Sequence, residues 1–316
     1  MRRLVPVIAC VALGLGACSS SDEAADGTTT SAPEATTTTA TTAPACTPSG
    51  VLPVGRSTQT MTVDGQQRSY FVYVPEDVAA SPRLVVQFHG AGSNKEQQAV
   101  YSGFEQLADE GGFIVATPDG KDGAVRQWDF LAETGDIDFA EAIVDRLVTE
   151  ACVDPAKVAA TGISSGGAMT AALACRAGDT FTGFGPVAAN FYLAPLCEDA
   201  PMRPMVIFHG TADATVPYDG GPIATGSGLS VEPAETNAAK WAAHNGCDDG
   251  PPAEERLSSE VVRLSYEGCT EPVVLYRIEG GGHTWPGSEF AVARLGATTD
   301  QISASETMLE FWDAAT

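Results

Sequence analysis

From Arg83 to the C-terminus, short apolar runs alternate with longer amphipathic ones. "RLVVQFHG", "FIVATPDG", "KVAATG", "FTGFGPVAA", "PMVIFHG" and "EPVVLYRIEGG" are brief, nearly all apolar, and mostly closed by glycine, as buried strands are. Between and after them, "NKEQQAVYSGFEQLADEGG", "DIDFAEAIVDRLVTEAC", "GGAMTAALACRA", "EPAETNAAKWAAHNGC" and "SASETMLEFWDAA" space their apolar residues at helical period. Strands that alternate with helices need crossover connections. The expected fold is therefore α/β, a mainly parallel central sheet with helices on both faces. Upstream, "TQTMTVDGQQRSYFVYVP" carries two alternating runs about Asp64-Gly65, a hairpin signal. In such sheets reactive groups collect beyond the carboxyl ends of the strands, so the loops after "VVQF", "VAAT", "VIF" and "YRIE" deserve the closest reading.

The N-terminus differs in kind. "MRRLVPVIACVALGLGAC" puts two arginines before an apolar run of about a dozen residues, which is too short to span a bilayer. The run ends in "LGAC", which resembles the lipobox of bacterial lipoproteins. That resemblance implies cleavage before Cys18, lipidation of its thiol, and a location in the cell envelope outside the cytoplasm. Residues 19–45, "SSSDEAADGTTTSAPEATTTTATTAPA", carry almost no large apolar side chain and cannot offset the entropy of ordering. The expected organisation is a leader over 1–17, a disordered Thr/Ala/Pro-rich tether over 18–45 and one folded domain over 46–316. The 44% hydrophobic content suits a single core of that size.

The formal charge of −24 becomes −26 without Arg2 and Arg3, which argues against nucleic acid and favours neutral or cationic partners. Apart from Cys10 and Cys18, six cysteines remain: Cys46, Cys152, Cys175, Cys197, Cys247 and Cys269. An even set in an exported chain suggests disulfides, and chain proximity favours Cys175–Cys197 and Cys247–Cys269, leaving Cys46–Cys152. No C-x-x-C pair or histidine cluster suggests a metal, and no cofactor motif is evident.

"GISSG", Gly162 to Gly166, matches G-x-S-x-G between a strand and a helix. The serine of such a turn sits on a strained bend, so the positions two before and two after it crowd together and must be small. Gly162 and Gly166 meet that demand for Ser164. For Ser165 the crowded position would hold Ile163. Of four histidines, His89 and His209 precede the acid that a Ser–acid–His chain order needs and read as backbone-bonded strand ends. His244 lies inside a helical pattern. His283, in "EGGGHTWPG", lies on a loop able to reach the elbow. The acid falls between: Asp213 in "FHGTADATVPY" directly follows a buried strand, Asp219 is the runner-up, and Asp179, Asp199, Asp248 and Asp249 sit near helix ends or surface turns. An oxyanion could be received by the N–H groups of Ser165 and of Ala91 in "FHGAGSN".

"FHGAGSN", "GISSGGAMT", "FHGTADATVPYDGG" and "GGGHTWPG", in this order, resemble the extracellular polyhydroxybutyrate depolymerase and feruloyl or acetylxylan esterase group of α/β-hydrolases, over roughly residues 50–315. The resemblance implies a secreted serine esterase with disulfides and with Ser164, Asp213 and His283 as its triad. Trp285 and Trp128 are expected walls of its pocket, core packing being the other reading of Trp128. A helix closes the chain just after the histidine loop with no polymer-binding module, which favours small or oligomeric esters over insoluble polyester. Two rivals share these residues or this scaffold: a prolyl-oligopeptidase-like peptidase, and a non-catalytic envelope binding protein. An acyltransferase would carry the same groups.

Overall fold

The computed structural model describes residue 50 and residues 52–131, 135–192, 194–225, 228–290 and 292–315. All belong to one compact unit, Cys46–Thr316. The expected leader, Cys18, the tether and Cys46 lie outside the described residues.

A ten-stranded sheet forms the centre, and its strands in chain order are β1 (Gly55–Val63), β2 (Gln66–Val74), β3 (Leu84–Phe88), β4 (Ile114–Pro118), β5 (Val158–Ile163), β6 (Gly183–Val187) and β7 (Met205–Gly210). After a small two-stranded ladder, β8 (Gly221–Pro222) with β9 (Ser230–Val231), the sheet continues with β10 (Ala253–Arg256), β11 (Val261–Ser265) and β12 (Val273–Ile278). The spatial order is β1-β2-β4-β3-β5-β6-β7-β12-β11-β10. The run from β4 to β12 is parallel, with antiparallel strands at both edges. The β1–β2 turn falls at Asp64-Gly65, where both residues take positive φ (50° and 73°), as a two-residue hairpin requires.

The helices are α1 (Lys95–Ser102), α2 (Phe104–Gly111), α3 (Asp136–Ala151), α4 (Ser165–Arg176), α5 (Ala234–His244) and α6 (Ala304–Ala315). Alternate residues of each buried strand feed two apolar layers. On one face Val86, Phe88 and Ala160 meet α3, α4 and α5 through Ile143, Leu173 and Trp241. On the other, Val85, Val115 and Val206 meet α2 and α6 through Phe104, Met308 and Trp312. This is the α/β-hydrolase architecture expected of the sequence. One expected helix is two: Gly103, at φ 72°, ends α1 and opens α2, because a left-handed residue cannot continue a right-handed helix. Among the described residues no helix is long and apolar enough to cross a membrane.

Disulfides join Cys175 to Cys197 and Cys247 to Cys269, as chain proximity suggested. Cys152 is disulfide-bonded as well, and its expected partner Cys46 lies outside the described residues. Such bridges suit an oxidising compartment.

Topology places the site. From β3 the chain steps outward to β4, returns past β3 to β5, and then proceeds the other way through β6 and β7. The direction reverses between β3 and β5. At such a switch point neighbouring loops diverge and leave a crevice at the carboxyl ends of the strands.

Candidate active site

Strand β5 ends at Ile163 and α4 begins at Ser165, so Ser164 alone makes the turn, at φ 58° and ψ −119°. An L-residue held there is strained by the order of 1–3 kcal/mol, and the surroundings hold it. Its N–H donates to the Val187 carbonyl at 2.9 Å, and its own carbonyl accepts from Ala168 at 2.9 Å. The two glycines are sterically required. A Cβ on Gly162 would lie 2.6 Å from the Gly166 backbone and from the Phe88 carbonyl, and one on Gly166 would overlap that same carbonyl.

The loop after β3 faces this turn and is pinned from several sides. The His89 ring donates from Nδ1 to the Gly90 carbonyl (2.8 Å) and accepts at Nε2 from the Gly120 N–H (2.9 Å). The Trp128 indole donates to the His89 carbonyl (2.8 Å), and the Gly92 N–H donates to the Arg126 carbonyl (2.7 Å). Burial pushes the His89 imidazole below its ordinary value, in keeping with the neutral tautomer those bonds require. The peptide is planar and trans, so tying the Gly90 carbonyl to His89 aims the Ala91 N–H the opposite way. The Ser165 N–H, first of α4, has no helical acceptor.

At the end of β7, Asp213 is 5% exposed and its carboxylate is fully engaged. Oδ1 accepts from the N–H groups of Thr215 (2.8 Å) and Val216 (2.9 Å), while Oδ2 lies 2.7 Å from His283 Nδ1 and 3.3 Å from His209 Nε2. Burial alone would raise this carboxyl, but hydrogen bonds from His209 and His283 outweigh it and hold the group well below the usual carboxylate range. With Nδ1 committed to Asp213, His283 keeps Nε2 as its basic nitrogen. The His283 amide donates to the Leu295 carbonyl at 2.7 Å, anchoring the loop that carries the ring.

Ser164, His283, Gly90 and Ala91 line one cleft of about 610 Å³, together with Tyr101, Thr215, Phe290 and Leu295. A hydroxyl on a strained corner, an imidazole backed by an ionised carboxylate, and an unpaired amide share one opening. That arrangement can perform acyl transfer.

A family model described as "Esterase PHB depolymerase" matches residues 68–194, covering the loop after β3 and the elbow. The putative esterase NocK of Nocardia uniformis subsp. tsuyamanensis is 32% identical over 306 residues, 84% of this chain and 86% of that protein. The chain belongs to the PHB depolymerase esterase family. A probable feruloyl esterase C of Aspergillus flavus is 28% identical over 69% of this chain and 77% of its own length. The crystal structure of an acetyl xylan esterase from Aspergillus awamori superposes with a TM-score of 0.59 at 19% identity, covering 72% of this chain and 94% of that one, and shows the shared fold. The protein is thus an α/β-hydrolase esterase, acting on carboxylic esters.

In this esterase Asp219 is exposed while Asp213 holds the His283 ring, and His244 contacts Tyr192 and Trp241. The expectation of Trp285 as a pocket wall needs correction, and of the two readings of Trp128 the structure shows core packing. Trp285 is 1% exposed, packs on Phe104 and donates its indole N–H to Ser305 (3.1 Å), inside the core. Trp128 is 2% exposed and spends its indole N–H on the His89 carbonyl. Neither indole lines the cleft; an aromatic ring beside a loop buries itself wherever an apolar layer can receive it. His209 was legible only as a strand end. It does bond backbone, through Nε2 to the Val216 carbonyl (2.9 Å), but it also flanks the Asp213 carboxylate. Its four-residue spacing from Asp213 was the available signal. Among the described residues no group of His, Cys, Asp and Glu could hold a metal ion.

Proposed function

We propose that this protein is an exported, lipid-anchored serine esterase that works through an acyl-enzyme. The reading rests on one observation: Ser164 and His283 share a cleft, with Asp213 hydrogen-bonded behind the imidazole. Ser164 Oγ attacks the ester carbonyl while His283 Nε2 takes its proton. The oxyanion is received by the Ala91 and Ser165 N–H groups, which are positioned before reaction and need no reorganisation. His283 then returns the proton to the departing alcohol, and Asp213 stabilises the imidazolium without itself becoming protonated. Water, activated by the same imidazole, releases the acid. Residues 1–17 serve as leader, Cys18 carries the lipid, residues 18–45 form the tether, and 46–316 the catalytic domain. The leader pattern and the disulfides support export. Relatives named feruloyl and acetylxylan esterases support feruloyl and acetyl-sugar esters, and the family model supports hydroxybutyrate esters, as the classes to test first.

A panel of these esters, with matched peptides and amides beside them, tests the reading. Ester hydrolysis without peptide cleavage is expected, and peptide cleavage alone would contradict it. A general base works only unprotonated, so kcat/KM is expected to fall on the acid side. Asp213 is held ionised well below the usual carboxylate range, so the limb cannot be its titration. A kcat/KM profile that stays flat until the protein unfolds would count against His283 as base.

A further inference from the structure

In so acidic a chain nearly every basic side chain is taken. Arg56 pairs with Glu105, Arg68 with Asp136, Arg126 with Asp122, and Arg277 with Glu235 and Glu254. Arg294 is different: among the described residues it makes no ion pair or hydrogen bond, and it lines the cleft that holds Ser164 and His283. Glu96 is the other carboxylate or guanidinium on that lining; it lies 3.4 Å from the Lys95 ammonium, which bonds Asp119 more closely at 2.5 Å. Arg294 is therefore the guanidinium on this lining that has no acidic partner among the described residues.

The fold fixes the backbone that carries this side chain relative to the reacting groups. Arg294 precedes Leu295, whose carbonyl receives the His283 amide at 2.7 Å, and the Gly282 amide donates to Ala297 at 2.8 Å. Two backbone bonds thus tie the arginine segment to the histidine loop. Phe290, Val292 and Leu295 give the cleft an apolar stretch beside the guanidinium. A neutral ester would use only the apolar stretch. An ester ending in an anion would use both.

We propose that Arg294 makes this esterase selective for esters whose acyl or alcohol part ends in a carboxylate remote from the scissile bond. One guanidinium matches one negative charge in a planar, two-point fashion. A phosphate dianion would leave a second charge unmatched within a chain of formal charge −24. The inference rests on the cleft being the esterase site.

The test compares two p-nitrophenyl esters of equal chain length, the hexanoate and the mono-ester of adipic acid, which differ in a terminal carboxylate. Wild-type protein is expected to favour the adipate ester, and added salt should narrow that preference. In Arg294→Gln the adipate-to-hexanoate ratio of kcat/KM should fall about fivefold, mainly through KM, as befits an exposed ion pair. Arg294→Lys should keep most of the ratio. A ratio unmoved by Arg294→Gln would overturn the proposal. A second arm is independent of turnover: adipate mono-ester binding to Ser164→Ala protein, by calorimetry, should weaken about fivefold when Arg294→Gln is added. Equal affinity would overturn the proposal. Failure of wild-type protein to hydrolyse either ester would instead count against the esterase site itself, with the binding arm still deciding on Arg294.

Discussion

Ser164→Ala is expected to lower p-nitrophenyl butyrate turnover by about a million-fold, to a residue supplied by the oxyanion donors and binding alone. Stability should barely change. The hydroxyl lines the cleft, and alanine at φ 58° inherits the same backbone strain because it keeps the Cβ. Ser164→Gly separates the two roles of this position. It should be equally inactive yet more stable than the alanine variant by about 1 kcal/mol, since glycine alone accepts that conformation freely. Thermal melts beside single-point assays read both. A glycine variant no more stable than alanine would mean that the bend is not held under strain. Substantial turnover in either variant would remove Ser164 from the mechanism.

Asp213→Asn should reduce kcat by about ten-thousand-fold. The reason lies in the partners of each oxygen. Thr215 and Val216 both donate to Oδ1, so the amide oxygen of asparagine must take that position, which leaves its NH₂ where Oδ2 was. There it faces His283 Nδ1, now 2.7 Å from a carboxylate oxygen, and offers it a proton instead of accepting one. The imidazole must switch tautomer, and Nε2, carrying the hydrogen, can no longer take the serine's. His209 Nε2–H, which approaches the same oxygen at 3.3 Å, would also meet a donor. That mismatch is expected to cost about 1–3 kcal/mol of stability. Kinetics and denaturant melts on one preparation check both expectations. A loss below about tenfold would mean that Asp213 does not set the His283 tautomer.

Much of this was legible from residue order because local chemistry decided it. Asp64-Gly65 could hardly be anything but a two-residue turn, and the fully buried strands β3, β4 and β6 carried their apolar runs in plain sight. The elbow was legible for a steric reason, since Gly162 and Gly166 leave room for Ser164 alone. His283 and Asp213 followed from chain order and strand ends, and the structure brings their side chains together. What escaped depended on partners distant in sequence. The break at Gly103 was hidden because α1 buries mainly polar residues, Lys95, Gln98 and Ser102, and offers no apolar stripe to mark its end. The antiparallel edge of β10 and β11 went unread because all four β10 residues are exposed and three of them charged. Trp285 stands two residues from His283 in sequence, but the direction of a side chain is set by the layer beneath it. His209 belongs with it: its contact with Asp213 is a fact of the folded loop.

The central claim is that the Ser164 hydroxyl is activated by His283. A fluorophosphonate probe, followed by fragmentation mass spectrometry of the labelled peptide, tests it most directly. The account predicts a single adduct on Ser164, with none on the adjacent Ser165, and labelling that slows sharply in His283→Ala protein. An adduct on Ser165, or labelling of folded protein at an undiminished rate without His283, would contradict it.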